Sequence, residues 1–163
     1  MKILVLGLGN DLYGDDGVGP EVVRKLEERG AAAPASYGAD VGVDYLACAL
    51  SGLALLDVVV GYDALVIIDT ILRPDPVVGR TRILDMPDIR DVPGPSPHYI
   101  SVPQTLSLGR SLGLKMPKTV KVVAVEARNL HRLGEGLSEG MRSQLPDIIA
   151  AADKAVTATA AEA

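Results

Sequence analysis

The sequence predicts an α/β fold, a single three-layer α/β/α domain with a mostly parallel central sheet. Short apolar, β-branched runs alternate along the chain with segments whose apolar residues recur at helical spacing. The apolar runs are continuous, as in strands that are buried on both faces of a parallel sheet. The 163 residues contain neither an internal repeat nor a linker-like segment, so we expect one domain over residues 1–163.

The first part of the chain predicts three strands and two helices. The strands are expected at Lys2–Leu8, within Val41–Ala49 and at Ala64–Ile68. The third strand is expected to stop at Asp69. One helix follows the first strand and is closed by the Gly30–Pro34 stretch, and a second runs from Ser51, as its N-cap, to about Val60.

The second part predicts two strands and two helices. The strands are expected at Gly79–Met86, as an edge strand or hairpin arm, and at Thr119–Glu126. The prolines of Pro87–Pro97 predict an irregular loop, and Ser101, three residues before a glutamine, has the spacing of a capping box at a helix start. The last helix carries an apolar face over Met141–Val156 and is interrupted or restarted at Pro146, and the tail beyond Thr157 is expected to fray.

Composition excludes several classes of function. The net charge of −5 at pH 7 and the absence of Phe and Trp argue against a nucleic-acid binder, which needs a basic face and aromatic stacking platforms. The single cysteine, Cys48, allows no intramolecular disulfide and no thiolate metal cluster, which indicates a reducing compartment. No window reaches the roughly 18 apolar residues of a membrane span. We therefore expect a cytoplasmic protein with no nucleic-acid or membrane partner.

The glycine-rich loop GLGNDLYGDDGVG, residues 7–19, follows the first strand, where such loops usually receive a phosphate. Like charges a few Å apart repel by several kcal/mol at an effective dielectric of ~20, so Asp15 and Asp16 disfavour a phosphate and favour a cation. The next glycine after Gly9 is Gly14, which departs from the spacing of a dinucleotide-binding fingerprint.

Two carboxylates and one imidazole are candidate ligands for a divalent metal. Ligand sites of open α/β sheets gather outside the carboxyl ends of the strands. Asp16 and Asp69 each follow a predicted strand, so both emerge at the same edge if these strands are parallel neighbours. His98 lies in the proline-rich loop, which we expect to hang over that edge. Such a set leaves coordination positions open for ligands from elsewhere.

Structural roles for the same residues stay open at this point. Asp15 or Asp16 can cap the helix that begins near Gly17, and Asp69 can cap the turn after its strand. His98 can be an incidental loop histidine.

The opening motif resembles that of the hydrogenase maturation endopeptidases. In that family a strand leads into Gly-x-Gly-Asn, a short spacer, Asp-Asp/Glu and a glycine at the helix start, as in LGLGNDLYGDDGVG here. The resemblance continues at Leu65–Asp69, Ser96–His98, Gly109–Leu114 and Val122–Glu126. It implies a single α/β/α domain of the phosphorylase/hydrolase-like type.

The resemblance also implies an activity. The family removes a C-terminal extension from the precursor of the [NiFe]-hydrogenase large subunit after nickel insertion. Matched residue by residue, it implies catalytic and metal-contacting roles for Asp16, Asp69 and His98, although the family often has Glu at the first of these. The nickel belongs to the substrate precursor, and no tightly bound organic cofactor is expected. The metal polarises the scissile carbonyl or activates a water, with Asp16 or Asp69 as a base, and no nucleophile is assigned.

Two other interpretations compete with this one. Peptidyl-tRNA hydrolases also open with a strand and Gly-Leu-Gly-Asn, but they need a histidine and an asparagine where Asp15 and Asp16 stand. A non-catalytic metal- or nucleotide-sensing module on the same fold is the second alternative. The Ala47–Gly52 stretch lacks the acidic residue that many family members carry there, which bears on substrate choice. We interpret Glu126 either as a residue that holds the predicted ligands in place or as a charge at the rim of the site.

Overall fold

The computed structural model describes residues 1–32, 37–86, 101–128, 130, 133–134 and 136–162, with backbone alone at 31 and 101. The strands are β1 (Lys2–Leu8), β2 (Gly42–Cys48), β3 (Ala64–Leu72), β4 (Thr81–Asp85) and β5 (Thr119–Ala127). The helices are α1 (Val18–Ala32), α2 (Ala54–Val59), α3 (Ser101–Ser111) and α4 (Glu139–Ala161), and a short 3₁₀ helix (Gly14–Gly17) precedes α1.

The five strands form one sheet in the order β2-β1-β3-β5-β4. Strands β2, β1, β3 and β5 are parallel to one another, and β4 pairs antiparallel with β5 at the edge of the sheet. Helices α1 and α4 cover one face and α2 and α3 the other, with an aliphatic core on each side. Strand β3 contributes to both cores, because Val66 and Ile68 face α1 and α4 whereas Leu65 and Ile67 face α2 and α3. The predicted three-layer α/β fold is confirmed.

The carboxyl end of β3 extends farther than predicted. Its pairing with β1 ends at Gly7 and Ile68, but its pairing with β5 continues to Leu72. Asp69 therefore lies within β3 rather than at its end, because the long β5 ladder keeps the strand extended. Since β1 stops first, Asp69 is also the first β3 residue beyond the ladder with β1.

Two helix predictions need correction. Helix α2 begins after Leu53 as its N-cap residue, so Ser51 does not cap it. Helix α4 runs through Pro146 without a break and continues past Thr157 to Ala161. Its end is held because Thr159 is fully buried and Glu162 forms a 2.7 Å ion pair with Lys121.

The proline-rich loop over Pro87–Pro97 lies outside the described residues. Within the described ranges, no helix combines the length and apolar character needed to cross a membrane.

Candidate functional site

The glycines of the opening loop bring the start of α1 directly onto the ends of two strands. A Cβ atom on Gly19 would overlap the carbonyl oxygen of Leu8 and would lie 2.6 Å from that of Ile68. Gly9 has a φ of +141°, and a Cβ there would overlap the carbonyl oxygen of Asp16. The space that these glycines provide is thus filled by the chain's own backbone, and the acidic residues are held against the sheet edge.

Asp16 is half-buried at this edge, and each of its carboxylate oxygens accepts one hydrogen bond. The backbone N–H of Asn10 donates to Oδ2 at 2.8 Å, and the hydroxyl of Thr70 donates to Oδ1 at 3.2 Å. A carboxylate oxygen carries two lone pairs, so both oxygens keep acceptor capacity for a cation. The two bonds fix the orientation of the carboxylate from the loop side and from the sheet side.

Asp69 directly precedes Thr70 in β3. Its side chain is fully buried, and its Oδ1 accepts a hydrogen bond of 2.7 Å from the backbone N–H of Thr70. Thr70 therefore contacts both carboxylates, one through its hydroxyl and the other through its amide. Asp16 and Asp69 thus both accept hydrogen bonds from Thr70 at the carboxyl edge of the sheet.

His98, the third predicted site residue, lies outside the described residues. Among the side chains that the structure does describe, no three His, Cys, Asp or Glu residues are grouped to hold a metal ion. Of the predicted ligand set, the structure describes Asp16 and Asp69, which share Thr70 as a hydrogen-bond partner.

Asp15 has a different role from its neighbour. Its side chain is buried and binds Ser138, whose backbone N–H donates to Oδ1 at 2.7 Å and whose hydroxyl donates to Oδ2 at 2.8 Å. Ser138 is the N-cap residue of α4, and its Oγ accepts from the N–H of Met141 at 3.2 Å. Asp15 therefore fastens the start of α4 to the opening loop instead of capping α1.

The segment before α4 is also joined to the opening loop through its backbone. The N–H of Gly14 donates to the carbonyl of Gly134 at 2.8 Å, and the N–H of Gly134 donates to the carbonyl of Leu12 at 3.0 Å. This acidic loop (residues 7–19), the end of β3 and the start of α4 thus form one connected edge.

Within the described part of the chain, Glu126 bonds neither Asp16 nor Asp69, and its burial excludes an exposed charge at the rim of the site. It is fully buried and accepts hydrogen bonds from Arg80 at 2.8 Å and 3.0 Å and from the N–H of Val77 at 3.0 Å. Burial by itself raises the pKa of Glu126, but the Arg80 guanidinium and the Val77 amide outweigh it and hold the pKa below its ordinary value. This carboxylate secures the turn between β3 and β4.

Sequence reasoning missed Thr70 and Ser138. Thr70 follows Asp69 directly in the sequence. Because neighbouring side chains of a strand project to opposite faces, the sequence gave no sign that Thr70 contacts Asp16. Ser138 stands before an acidic residue and an apolar helical pattern, a recognisable N-cap signal.

Comparisons with known proteins identify the family of the chain. A protein-family model described as hydrogenase maturation protease matches residues 20–155. The chain is 32% identical over 137 residues to the hydrogenase 2 maturation protease of Escherichia coli, covering 80% of this chain and 76% of that protein. It is 28% identical over 157 residues to the hydrogenase expression/formation protein HupM of Azotobacter chroococcum, covering 93% of this chain and 69% of that protein.

Solved structures give the same result. The hydrogenase maturating endopeptidase HybD of E. coli superposes with a TM-score of 0.76 at 26% identity, covering 98% of this chain and 94% of that one. The [NiFe] hydrogenase maturation protease HybD of Thermococcus kodakarensis superposes with a TM-score of 0.71 at 25% identity, covering 94% of this chain and 98% of that one. With its α/β/α fold and the family match over most of its length, the chain belongs to the hydrogenase maturation proteases and is a peptidase.

Proposed function

We propose that this protein removes the C-terminal extension of a [NiFe]-hydrogenase large-subunit precursor after nickel has been inserted. In this proposal Asp16, Asp69 and His98 contact the nickel that the precursor carries, and the enzyme itself needs no tightly bound organic cofactor. The names of the relatives support a hydrogenase as the partner. The observation that carries the proposal is the meeting of Asp16 and Asp69 through Thr70 at the sheet edge.

The burial of the two carboxylates suggests an order of contact. Asp16 is half-buried and Asp69 is fully buried, so a metal delivered by a partner meets Asp16 first and Asp69 behind it. Carboxylate oxygens and an imidazole are acceptable ligands for a divalent ion that is already held by the partner's own ligands. The contact would thus report whether the precursor contains its metal.

The same geometry supports a hydrolytic step. A divalent ion polarises a nearby carbonyl or lowers the pKa of a bound water. Asp16, oriented by two hydrogen bonds and half-exposed, is suited to accept a proton at the carboxyl edge. We assign the base to the Asp16–Asp69 pair and name no protein nucleophile.

The chemistry of the loop disfavours a nucleotide. Gly9 and Gly19 are packed against backbone oxygens, and three carboxylates, Asp11, Asp15 and Asp16, occupy the same loop. We expect ATP and NAD to leave the thermal unfolding temperature unchanged. We also place the reaction in the cytoplasm, because a single cysteine suits a reducing compartment.

The decisive experiment compares nickel-loaded with metal-free precursor from the same organism, each incubated with this protein and analysed by intact mass spectrometry. We expect the nickel-loaded precursor to lose its C-terminal extension and the metal-free precursor to remain intact. Cleavage of both forms would refute nickel recognition, and cleavage of neither would refute the proposed activity.

Variants test the assignment of residues. Asp16→Ala, Asp69→Ala and His98→Ala are expected to abolish cleavage. The matched control is Asp11→Ala, which removes an exposed carboxylate of the same loop that pairs with Arg24 at 3.1 Å. Circular dichroism verifies that each variant folds. Normal cleavage by the three variants would show that the ligands lie elsewhere.

A further inference from the structure

A groove of about 720 Å³ lies beside the acidic loop, on the side of the sheet that α1 and α4 cover. One wall is the turn between β3 and β4 with Val77, and the other is the segment before α4 with Leu133 and Leu137. Val77 is 54% exposed and Leu133 is 74% exposed. Asp15, the neighbour of Asp16, lines the same groove. A trough with valine and leucine side chains on its walls thus opens next to the candidate site.

Glycines give this groove a backbone-lined edge. Gly134 and Gly136 line it, and a Cβ on Gly134 would meet nothing within 4 Å. A second cavity of about 390 Å³ shares Gly136 and Leu137 with the groove and extends it toward α1. At the two glycines the edge of the trough carries no side chain, so the backbone of an extended peptide can approach closely there.

An arginine lines the groove, and its charge is opposite to the net charge of the chain. Arg128 lines the groove, and Arg73 and Arg80 lie 3.7 Å and 2.8 Å from Glu126, which binds the N–H of Val77 on the groove wall. Arg73 and Arg80 are thus paired with Glu126, and the exposed Arg128 brings a positive charge to the groove of a protein whose net charge is −5. An occupant that complements this surface combines apolar side chains with a negative charge.

We propose that the groove binds the C-terminal extension of the precursor in an extended conformation. An apolar side chain of the extension lies between Val77 and Leu133, and a carboxylate of the extension, from an acidic side chain or the chain terminus, pairs with Arg128. This inference rests on the proposed function. A precursor chain whose scissile bond is held at Asp16 continues on one side of that bond into the trough, which begins at Asp15. The groove then selects the segment to be removed, and the carboxylates act on the bond.

Substitutions in the apolar walls test the groove separately from the chemistry. Leu133→Asp and Val77→Asp place a charge where the extension's apolar side chain binds. We expect each to lower kcat/KM for the nickel-loaded precursor about tenfold, equivalent to ~1.4 kcal/mol, mainly through a higher KM. The matched control is Leu112→Asp. Leu112 is 61% exposed and directly follows α3. It lies near the opposite edge of the sheet, where the N–H of Lys118 donates to the carbonyl of Asp63 just before β3.

Charge variants test the cation. Arg128→Glu is expected to raise KM about tenfold, whereas Arg128→Lys, which keeps the positive charge, is expected to raise it less than about threefold. Unchanged KM in Arg128→Glu would overturn the assignment of this side chain.

A photo-cross-linking residue, p-benzoylphenylalanine, at position 133 identifies the occupant directly. We expect its adduct with the nickel-loaded precursor to contain the C-terminal extension, while the same residue at position 112 gives no such adduct. An adduct with the metal-carrying body of the precursor, or with a second copy of this protein, would overturn the proposal.

If the wild-type protein cleaves the precursor and both wall variants cleave it equally well, the groove proposal fails while the proposed function stands. If the wild type cleaves no precursor, the function fails and the groove proposal falls with it.

Discussion

The hydroxyl of Thr70 donates a hydrogen bond of 3.2 Å to Oδ1 of Asp16, and this bond joins β3 to the acidic loop. The amide of the same residue binds Asp69 at 2.7 Å. Because Thr70 is buried in a strand that is paired with β5, it is a rigid reference point for both carboxylates. The position of Asp16 relative to β3 therefore depends on the hydroxyl of a residue that is not itself a predicted ligand.

Thr70→Val is expected to lower kcat about tenfold for the nickel-loaded precursor with little change in KM. Valine has the shape of threonine but removes the hydroxyl, and a hydrogen bond to a charged group is worth about 1.5–3 kcal/mol. Thr70→Ser retains the hydroxyl and is expected to retain most of the activity. Steady-state kinetics of the two variants check this, and equal loss in both would indicate a packing role.

The adjacent carboxylate is expected to affect stability more strongly than chemistry. Asp15→Ala removes the acceptor of both Ser138 hydrogen bonds at a buried position, so the free energy of unfolding should fall by about 2–4 kcal/mol. Urea unfolding followed by circular dichroism measures it. Asp11→Ala, which breaks an exposed ion pair with Arg24, should change the free energy by less than about 1 kcal/mol. Equal stability of the two variants would contradict the role assigned to Asp15.

Local pattern was sufficient to predict most of the fold. Apolar runs identified β1 and β5, because strands buried on both faces are mostly apolar along their length. Boundaries were harder to predict where tertiary contacts decide them. Strand β3 continues past Asp69 because β5 pairs with it as far as Leu72, and no local signal encodes that length.

The positions of Asp16 and Asp69 at the sheet edge could be predicted from the sequence, whereas the residues that bond them could not. Asp16 and Asp69 follow from the rule that sites gather at the carboxyl ends of parallel strands. The difference between Asp15 and Asp16 depends on which way each side chain points out of a short 3₁₀ turn. Neighbouring acids in the sequence look equivalent, and the partner of Asp15, Ser138, is 123 residues away along the chain.

Gly19→Ala is expected to destabilise the protein although alanine is the better helix former. The added Cβ would overlap the Leu8 carbonyl and lie 2.6 Å from the Ile68 carbonyl, so α1 must move away from the sheet. The control is Gly140→Ala in α4, where the nearest neighbour of a Cβ, on Val78, is at 3.6 Å and the helix should gain up to about 1 kcal/mol. Thermal unfolding should shift in opposite directions in the two variants. A Gly19→Ala variant as stable as wild type would show that the helix start can adjust.

Glu126 is expected to make stability depend on pH on the acid side. Its folded-state pKa is held below the ordinary value of 4.5, so its contribution to stability is complete above about pH 4.5 and is lost as the pH falls through the folded-state pKa. Glu126→Gln removes the charge that Arg80 binds and should cost about 2 kcal/mol at neutral pH. The difference from wild type should shrink below about pH 4.5, because the wild-type carboxylate is then protonated too. Urea unfolding between about pH 3 and about pH 7 measures both curves. The exposed pair of Glu28 with Lys25 provides the control, since Glu28→Gln should leave the stability curve unchanged. A difference between Glu126→Gln and wild type that does not depend on pH would refute the electrostatic role of Glu126.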